Sequence, residues 1–181
     1  PYTTLFRSLG ADAQSRLLHA SQFFAGVIPG SYGKGATFQA AHQDAVHGTN
    51  GMTAALAGLD LNAPQAMQDL AISRMVLMQS LSLLVGGIPL IYMGDEIAQG
   101  NTFQDELSQR CGPDGRELQR PDFDWSAYDT RHQNTLAGRV YQQLQSFLHA
   151  RRQLVRAHPR AALHTLKTSA PSLLALQRGD D

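Results

Sequence analysis

The run Gly86 to Glu96, GGIPLIYMGDE, restricts the fold of this chain more than any other stretch. Ile88, Leu90, Ile91, Tyr92 and Met93 are apolar, two of them β-branched and one aromatic, with a Gly pair before them and Gly94-Asp95 after. Apolar character so nearly continuous over so short a length, bracketed by turn residues, predicts one fully buried strand. Long amphipathic segments on either side predict helices. A buried strand between helices is a piece of a parallel α/β arrangement, in which both faces of the strand are covered. One strand does not make a sheet.

The ends of the sequence bear on that mismatch. The chain starts at Pro1, and PYTTLFRS (Pro1 to Ser8) reads as translated sequencing adapter, which sets it aside from fold reasoning. The other end stops at Gly179-Asp180-Asp181, directly after a strand-like run, so both ends read as cut. Fifteen Lys and Arg balance fifteen Asp and Glu, and no run of like charge occurs. That balance argues against a nucleic-acid or anionic-membrane partner and for a small, uncharged ligand. No apolar run reaches the ~18 residues of a membrane span. Cys111 is the single cysteine, which excludes an internal disulfide framework.

In chain order, Ala11 to Val27 carries Leu17, Leu18, Phe23, Phe24 and Val27 at helical spacing. Pro29 to Gly35 is a turn-rich loop, and Thr37 to Asn50 is polar and irregular. His42 and His47 lack the four-residue spacing that sets two imidazoles on one helix face, so no metal site is expected there. Met52 to Leu59 predicts a short helix of small residues, capped by Thr49 or Asn50, that packs closely in a core. A longer helix starts in a capping box of Asn62 and Gln65, with Pro64 in its first turn, and runs to Val85. Its apolar residues are Leu70, Ile72, Met75, Leu77, Met78, Leu81, Leu84 and Val85, and Gly86-Gly87 ends it in a left-handed turn.

After the apolar run, Ile97 to Arg131 shows no sustained period, and a loop of that length is usually functional or disordered. Asn134 to Ala157 predicts the next helix, with Leu136, Val140, Leu144, Phe147, Leu148, Leu154 and Val155 on one side, stopped by His158-Pro159. Leu163 to Lys167 and Leu173 to Gln177 predict two strands joined by a turn.

Sites in barrels and open α/β sheets form at the carboxyl ends of strands, which here means Gly94 onwards. Asp95 and Glu96 suggest a catalytic carboxylate pair. Neighbours on an extended chain point to opposite sides, however, whereas a glycosidase pair faces itself across about 5 to 9.5 Å. The plainer expectation is that one of them caps a loop and the other pairs with an arginine. Arg116 and Arg120, in the long loop, bridge a carboxylate, grip hydroxyls or form surface ion pairs.

GGIPLIYMGDE also resembles the segment around the eighth barrel strand of the α-amylase superfamily, glycoside hydrolase family 13. PGSYGKGATFQ (Pro29 to Gln39), NGMTAALAGL (Asn50 to Leu59) and DGRELQRPDFDW (Asp114 to Trp125) resemble the amylosucrases and related sucrose hydrolases within it. Ala137 to Pro159 is similar to that family's last barrel helix, and the motifs occur in the family's order from about Leu9 to Gln177. The resemblance implies an α/β fold: the C-terminal part of a (β/α)8 TIM barrel over residues 9–159, holding its last helices and eighth strand. Residues 160–181 would begin a C-terminal β-sandwich domain, and the chain as it stands would be helix-rich, with an orphan strand.

The chemistry implied by the resemblance is retaining glucosyl transfer from sucrose to an α-glucan or to water. An Asp nucleophile, a Glu acid/base and a third carboxylate of a His-Asp motif would all lie upstream of Leu9, leaving this chain a binding wall without activity of its own. On that wall Arg116 matches the arginine that pairs with an Asp and closes the glucosyl pocket, and without that Asp it is expected unpaired and exposed. Phe38 and Gln39 match acceptor-side positions, while Asp95, Glu96 and Arg120 match structural residues beside the site. Gly48 stands where an arginine would hold acceptor glucan, which raises hydrolysis over polymer synthesis.

The implied partners are sucrose and α-glucan, with no cofactor and no metal. The compartment is unassigned, the cytoplasm slightly favoured. Two other readings stay open: another α-glucosidase or trehalose synthase of the superfamily, and a non-catalytic binding scaffold on the same fold.

Overall fold

The computed structural model describes residues 10–38, 48–85, 87–102, 116–154, 158, 160–170 and 172–179. Helices dominate, joined by two small antiparallel sheets. The chain order is α1 (Gly10–Phe24), β1 (Ala36–Thr37), β2 (Thr49–Asn50), α2 (Thr53–Leu56), α3 (Gln65–Leu84) and a 3-10 turn at Asp95–Ile97. A second 3-10 turn at Arg116–Gln119 follows, then α4 (Trp125–Asp129), α5 (Leu136–Gln153), β3 (Leu163–Leu166) and β4 (Ala175–Arg178). Among the described residues no helix is long and apolar enough to cross a membrane.

The core forms where α2, α3 and α5 meet the first 3-10 turn. Ile72 and Met75 of α3, Val140 of α5, Ala54 of α2, Ala57 at its end, and Ala98 make one buried cluster. The small residues at α2 let the larger side chains of α3 approach closely, as the Met52 to Leu59 sequence suggests. Burying residues such as Ile72 and Met75 contributes about 1.5–3 kcal/mol each. Leu70 and Leu77 of α3 stay exposed, so only part of the apolar surface expected for this helix is covered.

Helix ends depart from expectation in instructive ways. Pro64 occupies the cap position of α3, with no side-chain cap. Gln65 is therefore the first helical residue rather than the third, so it cannot reach back to close a capping box. Its amide instead donates to Asp69 Oδ1 at 2.9 Å, one turn on. Gln68 Nε2 donates to the carbonyls of Leu61 and Ala63, satisfying the entry loop. Thr49 and Asn50 belong to β2, paired with β1, and do not cap α2. At α5 the cap is Thr135, whose Oγ1 accepts from the Gly138 amide at 3.0 Å.

The C-terminus of α3 is held by two arginines. Arg151 Nε donates to the Leu83 carbonyl at 2.7 Å, and Arg178 of β4 donates to the carbonyls of Leu84, Val85 and His158. Cations suit the negative end of a helix, and here they satisfy carbonyls that the helix itself leaves open. Gly87 takes the expected left-handed conformation, with φ of 83°.

The run that follows corrects the strongest sequence expectation. Ile88 to Tyr92 lie in neither helix nor strand, and Ile88 and Leu90 are 88% and 77% exposed rather than buried. The physical reason is the lack of a ladder: among the described residues no strand pairs with this run, and an unladdered segment has no sheet to bury it. The C-terminal hairpin does form, with Leu163 opposite Arg178 and Leu166 opposite Ala175.

Because Arg178 is the link between that hairpin and the end of α3, Arg178→Ala should loosen the hairpin by about 1.5–3 kcal/mol, the range for hydrogen bonds to a charged donor. Faster amide exchange in β3 and β4, with α3 and α5 unchanged, is the expected readout.

Candidate functional site

The 3-10 turn after the apolar run anchors everything around the candidate site. Gly94 opens it with φ of 94°, a conformation that side chains rarely adopt, and a Cβ there would stand 2.7 Å from Gln99 Oε1. Asp95 follows, buried at 6% exposure. Its Oδ1 accepts from the Thr53 amide at 3.0 Å and its Oδ2 from the Thr53 hydroxyl at 2.8 Å and from Gln79 Nε2 at 3.1 Å. A carboxylate at the first amide of α2 is thus the cap that Thr49 and Asn50 do not provide.

Downstream residues of the same turn extend the anchoring. Asn101 Oδ1 accepts from the Met52 amide at 2.8 Å, and its Nδ2 donates to the Lys34 carbonyl at 2.9 Å. The Thr102 amide donates to the Leu118 carbonyl at 2.9 Å and its hydroxyl to the Glu117 carbonyl at 2.7 Å, which suspends the Arg116–Gln119 turn. Gln99 Nε2 donates to the Asp122 carbonyl, and its Oε1 accepts from the Asp124 amide, fixing the entry to α4.

The expected site residues fall into two places. Arg116 heads a turn that touches β2, and the Gly51 amide donates to Gln119 Oε1 at 3.4 Å. Phe38, half-buried, follows β1, and its amide donates to the Gly48 carbonyl at 3.0 Å. The β1–β2 pair therefore brings the segments of Phe38 and Arg116 to one side. Arg116 is exposed as expected but is not without an interaction partner. Arg120 pairs with Glu117 at 3.1 Å across one turn, an exposed contact of small energetic weight. Gln39, His42, His47 and Cys111 lie outside the described residues.

Asp95 and Glu96 point to different tasks, as adjacent carboxylates should. Glu96 is half-buried, its Oε2 accepts from the Gly94 amide at 2.8 Å, and it pairs with no arginine among the described residues. It borders a recess of about 530 Å³ lined by Ile91, Met93, Phe123, Trp125 and Tyr128. The three rings meet at steep angles, with Phe123 and Trp125 centroids 4.8 Å apart and Trp125 and Tyr128 6.0 Å apart. Arg131 stacks 3.7 Å over the Tyr128 ring and donates to the Tyr128 carbonyl, which holds that ring in place.

Sequence reasoning missed this recess. Its signal was present in the spacing of Phe123, Trp125 and Tyr128, three aromatics in six residues of a chain that is only 7% aromatic. Compared with models of known protein families, the chain matches none.

Burial pushes the Asp95 carboxyl above its ordinary value, against the opposing hydrogen bonds from Thr53 and Gln79. The folded chain then holds this proton more tightly than the unfolded one. That contribution to stability is complete below the ordinary Asp value and is lost as the pH climbs through the raised one. Urea unfolding across this interval should show the fall in the parent chain and a flatter profile in Asp95→Asn. Asp95→Ala, which strands the Thr53 amide and hydroxyl, should cost about 2–3 kcal/mol at neutral pH.

Proposed function

We infer that this chain is part of a sucrose-active retaining α-glucosyl transferase or hydrolase of amylosucrase type, within the α-amylase superfamily. In this reading it supplies a substrate-binding wall rather than the catalytic centre. The carrying observation is the run Ile88 to Met93: an uncharged apolar sequence suited to the inside of a parallel sheet, largely exposed and, among the described residues, without a ladder, standing between α3 and the turn of Asp95. Such a run is what the last strand of a barrel becomes apart from its neighbours.

The arrangement beyond that run supports the same reading. Residues after a barrel strand build the site at its carboxyl end, and here they are the Asp95 turn and the suspended Arg116 turn, which the segment of Phe38, earlier in the chain, approaches through β2. Asp95 serves as a cap for α2, which suits a structural carboxylate and not a nucleophile that must meet a sugar carbon. The bond-breaking groups are then an Asp that attacks the glucosyl carbon of sucrose and a Glu that protonates the departing fructose oxygen, both supplied upstream of Leu9. The covalent glucosyl intermediate passes to water or to a glucan hydroxyl. Gly48 offers no side chain to grip an acceptor glucan, and among the described residues no atom stands within 4 Å of where its Cβ would project, so water is the favoured acceptor.

Two measurements test this reading. Incubated with sucrose, the chain alone should release no glucose or fructose above background; turnover would overturn the division between wall and catalytic centre. The reading frame extended upstream of Leu9 should encode a His-Asp motif preceded by a Glu and an Asp, and replacement of those carboxylates would leave the binding-scaffold reading in its place.

A further inference from the structure

The junction between β2 and α2 holds a chemical lability that the fold does not let the chain avoid. Of the four asparagines in the sequence, Asn50 alone precedes a glycine; Asn62, Asn101 and Asn134 precede Ala63, Thr102 and Thr135. An asparagine followed by glycine is prone to ring closure, because without a Cβ at the second residue the backbone nitrogen swings easily onto the side-chain carbonyl. Gly51 is not replaceable. Its φ is 150°, and a Cβ there would stand 3.0 Å from Leu56 Cδ2 and 3.3 Å from the Gly35 Cα. From the other side, a Cβ on Gly35 would stand 2.6 Å from the Asn50 carbonyl oxygen. Two backbones in contact thus fix the glycine next to Asn50.

Two restraints oppose ring closure in the folded chain. Asn50 is 4% exposed, lies opposite Ala36 in the β1–β2 pair and has an interaction partner. The Gly51 amide, whose nitrogen would attack, donates to Gln119 Oε1 of the Arg116 turn at 3.4 Å. That distance lies beyond the usual range, so the bond is weak. The turn buries none of its residues, which puts it among the parts of a structure that open locally.

We propose that Asn50-Gly51 is a deamidation site gated by the Arg116 turn. When the turn opens, the Gly51 nitrogen gives its proton to solvent and bonds to Asn50 Cγ. The bond from Cγ to the side-chain nitrogen breaks, and ammonia leaves with a proton taken back from solvent, giving a succinimide. Water then opens the ring to aspartate or isoaspartate, the latter with one more atom in the main chain. Either product sets a carboxylate where Asn50 was buried, and isoaspartate also breaks the register of β2 with β1. The modification therefore loosens the β1–β2 pair and the turn against it, irreversibly and without an enzyme. It stands apart from the activity proposed above.

Peptide mapping of the chain, held in mildly alkaline buffer, reads each asparagine separately through the mass gained when an amide becomes a carboxylate. Asn50 should convert while Asn62, Asn101 and Asn134 stay intact, at least about tenfold more slowly than in the urea-unfolded chain, where nothing restrains Gly51. Gln119→Ala should speed the folded-state reaction roughly fivefold, the factor that one hydrogen bond of ordinary net strength sets on an opening equilibrium. Gln119→Glu, which keeps an acceptor for the Gly51 amide, should restore the parent rate. Amide exchange in α3 and α5 confirms that both variants stay folded. In the parent chain, urea below the unfolding transition should raise the rate in step with exchange of the Gly51 amide and ahead of exchange in α3.

No conversion at Asn50 in the folded chain, or conversion as fast as in the unfolded one, would overturn the proposal. So would a Gln119→Ala rate equal to the parent's with α3 and α5 protected, or a rate that rises only with global unfolding, since the turn would then be no gate.

Discussion

The carboxylate of Asp95 is the constraint on which the rest of this structure depends. It is buried, it terminates an exposed apolar run, and it holds the first amide of α2 together with the side chains of Thr53 and Gln79. Through Gln79 it reaches α3, and through the turn it begins it sets Gln99, Asn101 and Thr102, which in turn fix the entry to α4, the Lys34 loop and the Arg116 turn. Five segments thus meet at one eight-residue stretch, Asp95 to Thr102. Desolvating a carboxylate is costly, and its three donors offset that cost only while α2, α3 and the turn stay together. The same group therefore serves as a cap and as a reason for the surrounding loops to hold one arrangement.

That anchoring explains how a chain with a modest core presents ordered loops. The buried cluster of Ala54, Ala57, Ile72, Met75, Ala98 and Val140 is small, and much apolar surface remains on α3 and on the run Ile88 to Met93. Order around the candidate site comes instead from polar links that each satisfy a backbone group, which a loop needs when no ladder serves it. The aromatic recess of Phe123, Trp125 and Tyr128 and the Arg116 turn are positioned in this way, from opposite sides of the same turn. In the proposed enzyme, the division suits a wall that recognises sugar surfaces while the covalent chemistry is carried elsewhere.

Much of this was legible in the sequence where local rules decide the outcome. The period of Leu136, Val140 and Leu144 marks α5, the Asn62 to Val85 stretch marks α3 to within a few residues, and two strand-like runs joined by a turn mark the β3–β4 hairpin. Local rules did less well where a distant group wins. Asn50 has the chemistry of a helix cap, yet pairing with β1 takes it and Asp95, forty-two residues beyond Thr53, caps α2 in its place. Ile88 to Met93 has the composition of a buried strand, yet burial of a strand is a property of its partners and not of its own residues. Arg116 is expected unpaired on the resemblance alone, yet it has an interaction partner, which spacing along the chain does not reveal. The recess was missed because Glu96 and the aromatics are separated in sequence and meet only through the bonds of Gln99.

Native-state hydrogen exchange tests the central role of the Asp95 turn most directly. The amides of Met52, Thr53 and Thr102 donate to Asn101, Asp95 and the Leu118 carbonyl, so they should open in one cooperative event with a shared dependence on denaturant. If instead each exchanged by its own local fluctuation while α3 stayed protected, the turn would be a passive connector, and the ordering of the site would need another cause.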